Sequence, residues 1–297
     1  MNYPKISIVT QCYNRERFIG ATIESILGQK YPNLEYIVID DNSTDKSWEI
    51  IQRYKKDLAV CERLPGHRSD PAIATNYGFS KATGEVMTWI NSKHIVLPGG
   101  LLTIGKVFAD LPEVEWVSGI GTIINEEGMI VSVIPVRKDF YEHLRGAWEN
   151  ISQESTFWRR SLWERTGTQM EEHRAAPDTI IWSTKFFPAA KLYHLNSTIS
   201  CYRKTGDSYS GNRREQFYRE IAEAREKMKT LIPKKKLYYS YLFRAIYPLK
   251  PLLRNIPDRI YARIPLLREF CHAAIRFKDA ETLQVYQRNP FRTIFPW

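Results

Sequence analysis

The chain has 297 residues, 43% of them apolar and 26% charged, which is enough to bury a large core as one domain or two. No uninterrupted apolar segment reaches the ~18 residues needed to span a bilayer, and the four cysteines (Cys12, Cys61, Cys201 and Cys271) include no C-x-x-C pair, which argues against an integral membrane protein, a zinc module and a disulfide scaffold. The formal charge of +10 is uneven: residues 233–297 hold 13 Lys and Arg against 4 Asp and Glu, whereas residues 1–232 hold 30 against 29, so a neutral body precedes a basic tail for which an anionic partner is expected.

The N-terminus runs into a strand-like segment with no apolar signal region, so a reducing cytoplasm is the expected compartment. Residues 6–9 read as a first strand, and apolar pairs from Phe18 to Leu27 read as an amphipathic helix that ends at Tyr31-Pro32-Asn33. A second strand over 34–39 stops abruptly on Asp40-Asp41-Asn42-Ser43-Thr44-Asp45, and residues 47–54 carry a second helix. A ligand role for these acids outweighs simple helix capping, because a cap needs only one acid or hydroxyl. The β, α, β, α alternation predicts a doubly wound, mostly parallel α/β sheet, whose ligands lie beyond the carboxyl ends of the strands.

A short strand at 58–61, a polar loop at 63–71 and a helix at 72–81 come next. The apolar strand 86–90 ends in Asn91-Ser92-Lys93-His94, and Pro98-Gly99-Gly100 opens another helix. Residues 114–118 and 122–124 read as two strands, with a hairpin turn at Asn125-Glu126-Glu127-Gly128. A helix is expected over 161–166, a helix start at Pro177-Asp178, a last strand over 195–202, and a long charged helix over 212–231 with the look of a solvated surface element. Seven of the 16 prolines fall in residues 233–297, which predicts short helices broken by turns; residues 265–278 read as a basic amphipathic helix. The division is therefore a body, 1–232, and a basic, aromatic, Pro-interrupted helical tail, 233–297.

Several chemistries are absent. Gly119-Ile120-Gly121 lacks the third glycine of a dinucleotide fingerprint, no P-loop or G-x-S-x-G occurs, and the six histidines (His67, His94, His143, His173, His194 and His272) form no H-x-x-x-H pair. Nucleic acid is not an expected partner, since the body has no basic surplus to continue the tail. What remains is a set of strand-end polar groups: Tyr13-Asn14-Arg15, Asp40-Asp41, Asn91 to His94, and Asp178.

Those groups sit in four ordered blocks, including SIVTQCYNRERFIGATIESILGQKYPNLEYIVIDDNSTDKS, NYGFSKATGEVMTWINS and QESTFWRRSLWERTG, which resemble the signatures of inverting family 2 glycosyltransferases of the GT-A fold over about residues 4–210. The resemblance implies a nucleotide-diphosphate-sugar donor over the strand ends and a saccharide or lipid-linked acceptor. On the donor side it puts Gln11, Tyr13, Asn14, Arg15, Asp40, Asp41, Asn76, Asn91 and Ser92, with Asp41 accepting from the base; on the acceptor side, Gln153, Ser155, Thr156, Trp182 and Arg203. Asp178 matches the general base. Lys93 and His94 stand where the family usually has the two acids that hold the ribose and a divalent cation, Mn²⁺ or Mg²⁺. The implied alternatives are a Lys93 ammonium at the diphosphate with metal-independent transfer, a weakened metal site at His94, or a degenerate protein that binds a nucleotide sugar without turnover. The tail's expected role is to bring the protein to an anionic membrane surface.

Overall fold

The computed structural model describes residues 2–66, 70–134, 140–146, 151–167, 169–206, 211–279 and 281–288. His67 and the middle of the polar loop expected at 63–71 lie outside them. The strands are β1 (Ile6–Cys12), β2 (Leu34–Asp40), β3 (Val60–Arg63), β4 (Val86–Trp89), β5 (Ile95–Val96), β6 (Trp116–Ile124), β7 (Ile130–Ile134), β8 (Thr156–Arg159), β9 (Leu192–Arg203), β10 (His272–Phe277) and β11 (Leu283–Arg288). They form one sheet in the order β11-β10-β9-β6-β8-β4-β1-β2-β3, with β5 paired to β9 and β7 to β6.

The first half behaves as the alternation predicts. β1 runs parallel to both β2 and β4, and β2 parallel to β3. Almost every residue of β1 and β2 is buried, because helices cover both faces of a parallel sheet, and this is why the strands are continuous apolar runs. The helix Pro71–Lys81 lies tightly over this region at Gly78, where a Cβ would collide with Val9 and come within 3.4 Å of Ile39. Asp70 caps that helix, accepting from the Ala72 N–H at 2.9 Å, and Pro71 occupies its first turn.

Five expectations are corrected. Residues 114–118 and 122–124 belong to a single strand, β6, whose glycines 119 and 121 are buried strand positions rather than breaks. β8, antiparallel to both β4 and β6, is a strand the sequence reading left out; it is only four residues long. The helix Arg214–Leu231 is not merely a solvated surface, because Glu220, Ile221, Ala224 and Met228 bury one of its faces. The amphipathic helix expected over 265–278 is a short helix, Pro265–Arg268, followed by β10, which pairs parallel with Tyr193–Leu195 of β9 and antiparallel with β11. Ala273, Ala274 and Ile275 are fully buried there, so the sheet edge overrides the helical period. Strands β10 and β11 also follow the one expected to be last. The rest of the tail opens with a 13-residue helix, Lys234–Ile246, and continues in the short helices expected from its prolines, around a small aromatic cluster of Phe243, Tyr261 and Phe270 with Tyr141 of the body.

Candidate active site

β1, β4 and β6 converge on a cavity of about 530 Å³. Its wall includes Gln11, Arg15, Trp89, Asn91, Lys93 and His94 from the strand ends, Gln153 and Glu154 before β8, Tyr202 from β9, Asp70 at the cap of the helix Pro71–Lys81, Arg174 from the loop that follows residue 169, and Asp178 from the helix Pro177–Ile181. Its charged side chains are three cations (Arg15, Lys93, Arg174) and three carboxylates (Asp70, Glu154, Asp178).

The β1 and β2 loops are stitched together beside it. Asn14 and Asn42 take positive φ angles of 49° and 58°, a conformation asparagine tolerates better than most residues. The Asn14 N–H donates to Ser43 Oγ at 3.0 Å, and Asn14 Oδ1 accepts from the Thr44 N–H at 2.8 Å. Asp40 is fully buried and accepts from the Ser43 hydroxyl at 2.5 Å, the Ser43 N–H at 3.0 Å and Arg63 Nε at 3.2 Å. Its carboxylate thus closes the turn instead of facing the cavity. Asp41 is buried next to it, with its N–H on the Cys12 carbonyl. Tyr13, Asn14, Asp40, Asp41 and Ser92 are not on the cavity wall; Gln11, Arg15, Asn91, Lys93, His94, Gln153 and Asp178 are.

Asn76, Ser155, Thr156, Trp182 and Arg203 lie behind that wall. The Asn76 amide clamps Met170 by two backbone hydrogen bonds of 2.8 and 3.0 Å, which fixes a loop residue that does line it. Thr156 and Ser155 are fully buried and bonded inward, Thr156 Oγ1 to Ser118 and Ser152. Trp182 is 1% exposed and stacks between Trp89 and Trp116 with centroids 5.9 and 5.6 Å apart, so it supports the wall through Trp89. Arg203 donates to the carbonyls of Lys93, Asn125 and Glu126 and so ties the strand-end loop to the hairpin.

Asp178 sits in the first turn of the helix Pro177–Ile181, and its Oδ1 accepts from the Thr179 N–H at 2.8 Å. The loop before it is held from a distant element: Glu220 Oε2 accepts from the N–H groups of Ala175 and Ala176 at 2.8 and 3.0 Å. Lys93 Nζ donates to Thr205 Oγ1 at 2.6 Å and lies 5.7 Å from the Tyr202 ring centroid. The sequence reading missed Asp70, Glu154, Arg174, Tyr202 and Glu220. Asp70-Pro71 is a recognisable helix-start signal, whereas Glu220 is 45 residues from its partners and carries none.

The residues present do not fit the divalent ion the resemblance implies. His94 is turned inward, its Nδ1 accepting from the Arg203 N–H at 3.0 Å, and among the described residues no three His, Cys, Asp or Glu side chains converge as ligands.

An open, mostly parallel α/β sheet with a cavity at its strand ends defines a protein of the doubly wound class. More narrowly, the chain belongs to glycosyl transferase family 2, whose model matches residues 7–181. It is similar to EpsE of Bacillus subtilis, 25% identical over 281 residues that cover 92% of this chain and 91% of that one. A Campylobacter jejuni β-1,3-glucosyltransferase whose name specifies GalNAc(5)-diNAcBac-PP-undecaprenol is 31% identical over 103 residues, 34% of this chain and 33% of that protein. With the first curated relatives the match spans between a third and two-fifths of their length. The fold is GT-A: it resembles S. aureus TarS 1–349, solved with UDP-GlcNAc, with a TM-score of 0.61, 17% identity and coverage of 87% of this chain and 83% of that one.

Proposed function

We propose that this protein is an inverting glycosyltransferase that moves a sugar from a nucleotide-diphosphate donor to an acceptor hydroxyl in the synthesis of a surface polysaccharide or glycolipid. The observation that carries this reading is a single cavity lined by Asp178 and by the cations Lys93 and Arg15. In the proposed step Asp178 takes the proton of the acceptor hydroxyl, the freed oxygen pair attacks the anomeric carbon from the face opposite the diphosphate, and the old C–O bond breaks with its electrons leaving on the nucleoside diphosphate. Lys93 stabilises the charge that develops on the departing phosphate, the task a divalent ion performs in metal-dependent relatives. Gln11, Arg15 and Asn91 bind the donor, and Gln153 faces the acceptor; Asp40, Asp41 and Asn76 hold the loops that shape the donor side.

The acceptor is lipid-linked on this reading, and the tail brings the protein to an anionic membrane from the cytoplasmic side. Among the described residues no helix is long and apolar enough to cross a membrane. The tail nevertheless exposes Tyr238, Tyr241, Leu249, Leu252, Ile260, Ile264 and Leu266 among its basic residues, a composition suited to an anionic interface. Nucleotide release from a panel of nucleotide-diphosphate sugars, with polyprenyl-diphosphate-linked saccharides as acceptors, tests the activity. Release from one donor that depends on acceptor is expected; binding of a nucleotide sugar without release under any pairing would reject transfer in favour of a non-catalytic binder.

A further inference from the structure

Two side chains on the cavity wall present donors to one another, and resolving that conflict determines the polarity of a third. His94 Nδ1 lies 3.0 Å from the backbone nitrogen of Arg203, a group that can only donate, so Nδ1 is the unprotonated nitrogen. The ring is 1% exposed, and burial, followed by Lys93 and Arg203, pushes its pKa down to about 3, so it is neutral and its one proton is on Nε2. Nε2 faces the amide nitrogen of Asn91 at 3.4 Å, which sets two donors against each other.

A carboxamide is nearly symmetric in shape, so its partners determine which end is oxygen. Turning the Asn91 amide over gives its oxygen to His94 Nε2–H and directs its nitrogen towards Gln11, whose amide is 2.8 Å away. Gln11 must then turn as well, offering Oε1 to Asn91. Its NH₂ group takes the place of an oxygen that is buried and meets no donor from the protein. Gln11 lines the cavity, so this buried, unmet hydrogen-bonding position lies at its wall.

We infer that His94 is the fixed end of a hydrogen-bond relay, Arg203 N–H to His94, His94 Nε2–H to Asn91, Asn91 NH₂ to Gln11, which reserves the Gln11 NH₂ as a donor for an oxygen of the bound nucleoside diphosphate. His94 is a positioning residue here and has no lone pair left for a metal ion. Only the identity of the ligand rests on the glycosyltransferase reading; the relay itself rests on geometry.

The relay is tested by long-range ¹H–¹⁵N correlation of the histidine rings in the full chain, with the His94 signals identified by their loss in His94→Gln. The expected result is a neutral Nε2–H ring between about pH 5 and pH 8, unmoved by Zn²⁺ or Mg²⁺. An Nδ1–H ring, an imidazolium at about pH 6, or a shift of either ring nitrogen on adding metal would overturn it. The second arm measures uridine and guanosine diphosphate binding by calorimetry. Gln11→Glu keeps the shape but replaces the donor with an acceptor, so binding should weaken by about tenfold or more while the His94 tautomer stays unchanged. Undiminished binding in Gln11→Glu would overturn the reserved donor. Should the parent bind no nucleoside diphosphate, the functional reading falls together with the Gln11 assignment, and the tautomer still decides the relay.

Discussion

Replacing Glu35 by Gln tests how the strand framework beneath the site is held. Glu35 stands at the start of β2 and is 7% exposed. It accepts from Lys5 Nζ at 2.6 Å, Ser7 Oγ at 2.5 Å, and both the N–H and the hydroxyl of Thr83 at 2.6 Å, while Ser7 Oγ in turn accepts from the Gly84 N–H. One carboxylate therefore joins β1, β2 and the turn leading into β4. Burial alone would raise its pKa, but the donors from Lys5, Ser7 and Thr83 outweigh burial and bring it from 4.5 to about 2. A folded pKa below the unfolded one gives stabilisation that is fully present above about pH 4.5 and is lost as the pH falls towards 2. That difference corresponds to about 3 kcal/mol, and the partial exposure of Lys5 reduces it to about 2. Urea unfolding followed by tryptophan fluorescence should show Glu35→Gln about 2 kcal/mol less stable than the parent near pH 7, with the gap closing towards pH 2. Other carboxylates titrate in the same range, so the gap between the two proteins is the quantity to read. A gap that is absent near neutrality, or that does not change with pH, would refute the reasoning.

Three further outcomes are expected. Asp178→Asn should lower sugar transfer by on the order of a hundredfold or more while leaving calorimetric affinity for the donor nucleotide nearly intact; unchanged turnover would remove Asp178 from the chemistry. Transfer should survive EDTA in the parent and be lost in Lys93→Ala; abolition by chelator with recovery on Mn²⁺ would instead assign the charge to a metal ion. Co-sedimentation with vesicles should require anionic lipid and weaken with salt, each tail Lys or Arg at the surface contributing about 1 kcal/mol, and equal binding to neutral vesicles would contradict an electrostatic tail.

The fold was legible where local pattern and tertiary environment agree. β1 and β2 are apolar runs because both faces are covered, and each ends in a polar cluster that its turn buries or bonds. β8 was not legible: four residues inserted antiparallel between β4 and β6 have no period of their own, and their pairing partners lie about 40 and 70 residues away. In residues 265–278 the apolar spacing is genuine, but the open edge of β9 offers backbone hydrogen bonds that a marginal helix cannot match. At the site, short motifs identify which residues cluster but not which way they face. Asn91, Lys93 and Asp178 reach the cavity, whereas Asp40 is consumed by its own turn and Trp182 by an aromatic stack, outcomes set by contacts with Arg63, Trp89 and Trp116 that lie far along the chain.

Lys93 and His94, standing where the family resemblance implies two acids, have a consistent electrostatic consequence. A carboxylate pair holding a divalent ion is close to neutral overall before a diphosphate arrives, whereas Lys93 beside a neutral His94 carries about one positive charge without any ion. Keeping an ammonium at a position only 8% exposed is costly unless its donors are used; Thr205 takes one, and the Tyr202 ring lies nearby. A diphosphate entering the cavity would meet that charge and Arg15 directly, in surroundings where Coulombic attraction is stronger than in water. On this reading Lys93 and His94 are coupled: the first supplies the charge, and the second anchors the strand end that presents it.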